Sequence, residues 1–358
     1  MVSFLAVGDV HIKLDNLLEI DHLTNTLVSL IQHHRPDYLV LLGDILHTHE
    51  RIHTNCLNQA AKLFRKCSEI IPTYVLVGNH DYISNSQFLT DEHWMNPFKE
   101  WPGLFIVDRV TRVDSAVLCP YVPDGRLVEA LETLNRSEVR ERSDARSDTS
   151  GDARSDDEKE RWREASLVFA HQTLDGVKMG PMVMDGVEKW LPEYPMLCSG
   201  HIHDRQRPQE NLYYAGTPIP HAFGESNRKS ICMINTSNPK KVLELPMDVC
   251  SRQILYLPVS EAYRFTHQPR PHHHLRLTVR GQPEETRVYR KSDAYKSLVS
   301  AGVKVVFDEP KEEKEEEKKE VKTVEEILWS LVKGDVSLAH HYRTFIKSDV
   351  EIEIEVEM

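Results

Sequence analysis

The first 80 residues alternate between short apolar runs and amphipathic stretches, and each apolar run ends in a polar cluster. SFLAVG, DYLVLLGD and PTYVLVGNHD read as three buried strands. Between the first two, Leu17, Ile20, Leu23, Leu27, Leu30 and Ile31 recur at helical spacing, and residues 53–70 read as a second helix. Such a β-α-β-α-β order implies right-handed crossovers and a parallel or mixed sheet, so the fold class is α/β. The clusters GDVH, GDILH and GNHD then fall beyond the carboxyl ends of the strands, where open α/β sheets gather ligands.

The rest of the chain divides by composition. LFIVD, AVLCPY, LVFAH, MLCSGH, LYYAG, SICMIN and KVLEL are further short strands, which makes the second half of the body richer in β. Residues 137–164 repeat Arg-Ser-Asp units and hold few apolar groups, so they read as a disordered surface insertion within a body of residues 1–258. A regulated phosphorylation segment is the alternative there. Residues 259–308 carry a second β-α-β pattern and are expected to form a small α+β domain. A charged linker follows at 309–322, and 323–358 read as a helical tail with Thr323 and Glu326 in capping-box spacing.

Charge and cysteine usage narrow the setting. The net charge of −12 is concentrated, with −7 in residues 304–358 and −3 in residues 137–164, whereas 259–303 carry +4. Acidity therefore does not exclude a nucleic-acid substrate, and Arg276, Arg280, Arg287, Arg290, Lys291 and Lys296 could meet phosphates or simply form a solvated face. The six cysteines form no C-x-x-C pair and several, such as Cys119 and Cys198, lie in apolar runs, as in a reduced, intracellular protein. MVSFLAVGDVH has no basic leader and reads as a buried strand, and no apolar run approaches the roughly 18 residues of a membrane span.

Five motifs carry the chemistry: Asp9-Val-His11, Gly43-Asp44-Ile-Leu-His47, Gly78-Asn79-His80-Asp81, Phe-Ala-His171-Gln and Gly200-His201-Ile-His203. Carboxylate, imidazole and amide oxygen suit Mn²⁺, Fe²⁺ or Zn²⁺, and the absence of cysteine argues against a structural zinc site. Each motif alone has an ordinary reading: D-x-H recurs by chance, and a lone His171 on an apolar strand is more often a core histidine. Five in order at strand ends are better explained by a two-metal centre, in which one Asp bridges cations about 3.5–4 Å apart.

Together D-x-H, GD, GNHD, H and GHxH resemble the calcineurin-like metallophosphoesterase superfamily. GDILH, SGHIHDRQ and YAGTPIPHAFGES are similar to the SbcD-type double-strand-break repair nuclease subunit, in flavour its phage and large-DNA-virus versions. Thr217 departs from the serine common in that turn, and the 137–164 insertion is a second departure. The resemblance implies a four-layer α/β/β/α sandwich with a capping domain and a partner-binding helical tail. It implies one metal held by Asp9, His11 and His203, another by Asn79, His171 and His201, and Asp44 between them. His80 would be the general acid with Asp81 nearby to hold it, and His47 would orient the phosphate. Two divalent ions, Mn²⁺ favoured, are the implied cofactors. DNA, an SbcC-type ATPase and a second copy of the chain are the implied partners, with the stripe Val324, Ile327, Leu328 and Leu331 offered to the ATPase. The alternatives are a phosphoesterase of nucleotides or phosphoproteins, and a scaffold of the same fold without chemistry. Loss of ligands would mark the scaffold, and all are present.

Overall fold

The computed structural model describes residues 2–49, 51–134, 161–180, 182–310 and 324–345. Its strands in chain order are β1 (Ser3–Val7), β2 (Tyr38–Leu41), β3 (Thr73–Leu76), β4 (Leu104–Val107), β5 (Thr111–Val113), β6 (Ala116–Leu118), β7 (Leu167–His171), β8 (Lys178–Met179) and β9 (Met182–Val183). These are followed by β10 (Met196–Gly200), β11 (Gln206–Gln209), β12 (Leu212–Tyr214), β13 (Lys229–Asn235), β14 (Leu243–Met247), β15 (Ser251–Pro258), β16 (His273–Arg280) and β17 (Lys304–Asp308). One six-stranded sheet runs β14-β13-β1-β2-β3-β4 and the other β11-β12-β10-β7-β6-β5. The strands β1 to β4 are parallel, as the alternation in sequence requires.

Strand periodicity explains the layering. Phe4 and Ala6 of β1, and Val40 of β2 with Leu42 just beyond it, face Leu118, Leu167, Phe169 and Cys198 of the second sheet. Their neighbours Leu5, Val7, Leu39 and Leu41 point the other way, into a core with Ile20, Leu23, Leu27 and Ile31 of helix α1 (Leu17–His34) and Leu63 and Phe64 of helix α2 (Thr54–Ser68). Val168 and Ala170 of β7 likewise face Leu127 and Leu131 of helix α3 (Leu127–Leu131). Strands buried on both faces read as unbroken apolar runs, and successive residues serve opposite layers. The result is two sheets face to face with helices outside, the α/β/β/α arrangement.

Two expected boundaries shift. The proposed insertion does not extend to residue 164: Arg161–Glu164 form a 3₁₀ turn, and Trp162 is fully buried against Trp190 and Tyr194. The portion from 135 to 160 lies outside the described residues. The small unit starts before residue 259, because β15 pairs with β16 along Ser251 to Pro258 and is its first strand. Its three parallel strands, β15-β16-β17, pack with helices Pro283–Tyr289 and Asp293–Ser300 around Leu277, Val279, Tyr289 and Leu298.

His272, His273 and His274 stand at the start of β16. His274 Nε2 meets the buried Glu19 carboxylate of α1, the His272 ring lies 4.9 Å from that of His22, and His273 Nδ1 is 2.5 Å from Ser251 Oγ. His274 and His272 join the small unit to the body, and His273 ties β16 to β15 within the unit.

The tail forms its own unit, with helices Val324–Val332 and Val336–Phe345 and a Trp329–Tyr342 ring contact at 5.7 Å. Leu331 and Val336 are 74% and 89% exposed. The linker from 311, Thr323 and the terminal EIEIEVEM lie outside the described residues. Among the described residues, no helix is long and apolar enough to cross a membrane.

Candidate metal centre

Every motif sits beyond the carboxyl end of a strand: Asp9 and His11 after β1, Asp44 after β2, Asn79 and His80 after β3, His171 at the end of β7, and His201 and His203 after β10. The turns are tight enough to strain the backbone. His11, Asp44 and His201 have φ of 45°, 50° and 74°, a left-handed conformation that non-glycine residues adopt at a cost and that clusters at functional sites. Gly78 is required by contact, since a Cβ there would lie 2.3 Å from Asp44 N and Oδ1. The motifs' glycines thus let the two ligand loops touch.

The side chains converge as two groups on either side of Asp44. Asn79 Oδ1 is 3.0 Å from both His171 Nε2 and His201 Nδ1, and His171 Nε2 is 3.3 Å from Asp44 Oδ1. On the other side, His11 Nε2 is 3.0 Å from His203 Nε2 and 3.5 Å from Asp44 Oδ2. The two oxygens of one carboxylate therefore face different groups. Asp9 lies between sheets: its Oδ1 accepts the His201 N–H at 3.0 Å, while its buried Oδ2 has no hydrogen-bond partner. Such an oxygen is costly to bury without a cation, and ring nitrogens that face one another at 3.0 Å offer lone pairs to a common point. The donor set thus fits two divalent ions, with Asp44 placed to bridge.

Burial and mutual charge act strongly on the groups of the cluster. Burial favours a neutral Asp44, but the His171 imidazole holds its carboxyl well below the usual range. Burial also opposes charge on His171, yet Asp44 and Asp9 push its pKa up to about 9. His201 is pushed down to about 3 by burial and by His171. The His171 ring is oriented from behind, since its Nδ1–H donates to Leu42 O at 2.7 Å and leaves Nε2 facing the cluster.

His80 stands at the open side, its side chain 27% exposed. Its backbone N–H donates to Asp44 Oδ1 at 2.9 Å, and its Nδ1–H donates to His47 O at 2.8 Å. This corrects the expected role of Asp81, which does not hold His80. Asp81 is buried and accepts from Ile45 N, Leu46 N, Gly78 N and Trp94 Nε1 at 3.0–3.2 Å, stapling the GDILH and GNHD loops together. His47 Nδ1 lies 3.4 Å from His11 Nδ1, and burial with the nearby Lys13 charge pushes its pKa down to about 4.

His221 was not among the expected site residues. Its Nε2–H donates to Asp9 O at 3.2 Å, and its ring lies 5.3 Å from His11 and 5.7 Å from His203. Glu225 fixes its loop by accepting from His221 N, Ala222 N and Lys229 Nζ. The only signal in sequence was its position inside PIPHAFGES.

Comparison with known proteins places the chain in a family. The family model described as calcineurin-like phosphoesterase matches residues 2–205, more than half of the chain. "Putative phosphoesterase 244L" of Invertebrate iridescent virus 6 is 34% identical over 303 residues, covering 81% of this chain and 98% of its own. "Putative phosphoesterase 078R" of Invertebrate iridescent virus 3 is also 34% identical, over 86% of this chain and 84% of its own. Among solved structures, the E. coli phosphoesterase YfcE aligns with 69% of this chain and 100% of its own, at 11% identity and a TM-score of 0.29.

Proposed function

The chain belongs to the calcineurin-like phosphoesterases, and from that premise we propose that it is a two-cation phosphodiesterase that cuts DNA. The observation that carries the reading is the convergence of Asp9, His11, Asn79, His171, His201 and His203 around Asp44, with His80 beside them on the open side. DNA as the substrate is supported by the GDILH and PIPHAFGES motifs and by a basic small unit tied to the body through His274.

Two divalent ions in this centre, Mn²⁺ favoured, would neutralise charge on the phosphoryl oxygens and acidify an attacking water. The protein supplies the other half of the reaction. With Nδ1–H given to His47 O, His80 carries a second proton on Nε2 only as imidazolium. As the P–O bond to the 3′ oxygen breaks, that proton passes to the leaving oxygen. What remains is the neutral tautomer that the His47 carbonyl already favours. His80→Ala should keep metal occupancy and DNA binding but slow cleavage by about 10² or more. Loss of metal in step with activity would make His80 a ligand instead.

The helical tail is assigned to partner binding. About 20–30 residues cannot build an independent core, and this hairpin leaves Leu328, Leu331 and Leu338 exposed. The occupant we propose is an SbcC-type ATPase, with the nuclease body acting as a homodimer inside the cell. Truncation after Asp308 should preserve metal-dependent cutting of single-stranded DNA and abolish co-purification with that ATPase. Undiminished binding by the truncated chain would remove the tail from this role.

The substrate class is tested with labelled single- and double-stranded DNA, with Mn²⁺, Mg²⁺ or chelator, beside mononucleotides and a phosphopeptide. Metal-dependent release of nucleotides from DNA supports the proposal. Hydrolysis of the small substrates alone would overturn it in favour of a nucleotide or phosphoprotein hydrolase.

A further inference from the structure

The His80 ring is held by one hydrogen bond, from Nδ1 to His47 O, on a partly exposed side chain. A single bond of this kind fixes one ring atom but not the ring plane, which the surrounding rings must set, His11 among them with its ring edge-on at 5.0 Å. An acid that must meet a leaving oxygen within hydrogen-bond reach requires that plane fixed as well. Of the two rings stacked on it, His49 is the nearer. The His49 and His80 rings lie 4.5 Å apart between centroids and are inclined by 23°, a stacked contact closer than that of His47, whose ring lies 5.6 Å away.

Nothing else in the site employs His49. Its Nδ1 is buried with no hydrogen-bond partner among the described residues, so hydrogen bonding by that atom does not account for an imidazole here. The preceding residue is held in place, since Thr48 Oγ1 donates to Arg51 O at 2.8 Å. The flat ring thus lies against the histidine whose orientation decides proton delivery in the reading above.

We propose that His49 is a positioning residue for phosphodiester cleavage, its ring holding the His80 plane so that Nε2 meets the leaving oxygen. The inference rests on the reading of His80 as the proton donor, and the test separates the two. A DNA oligonucleotide leaves as an alkoxide that needs a proton. The nitrophenyl ester of thymidine 5′-phosphate leaves as a stable phenolate that needs almost none.

The steady-state rates of both substrates are measured with Mn²⁺ for the parent, His80→Ala, His49→Ala, His49→Leu and His49→Phe, with melting temperature and metal content of each. His80→Ala should lose about 10² on DNA and little on the ester. His49→Ala and His49→Leu should lower kcat on DNA by about tenfold, a part of that same contribution, with KM and metal content unchanged and the ester rate nearly intact. His49→Phe, which restores a flat face without a ring nitrogen, should recover most of the loss. Equal losses of His49→Ala on the two substrates, or His49→Phe no better than His49→Leu, would overturn the assignment while leaving His80 in place. If His80→Ala itself slows both substrates equally, the donor role of His80 fails, and with it the premise.

Discussion

Asp44→Ala should abolish DNA cleavage and remove the protein's capacity to hold two divalent ions. Asp44 is buried, with Oδ1 facing His171 and Oδ2 facing His11, so one carboxylate serves both halves of the cluster. Without it two cations would be held by imidazoles, the neutral Asn79 amide and Asp9 as the one remaining carboxylate, and their mutual repulsion would go largely uncompensated. A partner one shell further out typically contributes about 10–100-fold in metal affinity. A bridging carboxylate in direct reach of both groups should exceed that. The effect has a second readout without catalysis. The parent should gain thermal stability with added Mn²⁺, by about 2.7 kcal/mol at one hundred times the dissociation constant. Asp44→Ala should gain much less. Asp44→Asn keeps an oxygen for the His80 N–H and lacks the charge, which separates lost geometry from lost electrostatics. Two ions per chain in Asp44→Ala, together with continued cutting, would refute the placement of the centre.

How far the site could be read from sequence depends on how local each determinant is. Asp9, Asp44 and Asn79 were legible because each follows an apolar run, and a strand end fixes where the next polar residues must lie. His171 needed the other motifs for support, since an apolar strand gives no sign of which face meets a ligand. The role of Asp81 was not legible. Its four donors come from residues 45, 46, 78 and 94, and no spacing rule links them. His221 was hidden for the same reason, approaching Asp9 over 212 residues of chain. The small unit's first strand was missed because Ser251–Pro258 follows the last body strand, β14, after only a few residues. The tail's apolar stripe was visible as a pattern, but periodicity does not reveal what covers it.

Trp162→Ala should be the most damaging substitution outside the metal centre. Composition hid this residue: it stands among Glu, Lys and Arg at the end of a strongly polar stretch, where a single indole does not change an average. In the fold it is fully buried, its ring 5.0 Å from Tyr194 and 5.7 Å from Trp190, and the Arg163 guanidinium lies 4.8 Å from its centre. It plugs the outer face of the second sheet beside Val168 and Leu197. Those strands bear His171 and precede His201, so the plug supports two ligands from behind. Truncating a buried aromatic costs about 3–5 kcal/mol in transfer and cavity terms. At about 2–4 °C per kcal/mol for a body of this size, the melting temperature should fall by about 10 °C. Trp162→Phe should cost much less, because the indole Nε1 is buried without a hydrogen-bond partner among the described residues and its removal relieves a penalty of about 1–3 kcal/mol. Thermal melts of the two variants, taken with and without Mn²⁺, decide the matter. A melting temperature unchanged in Trp162→Ala would return this residue to the surface segment that the composition suggests.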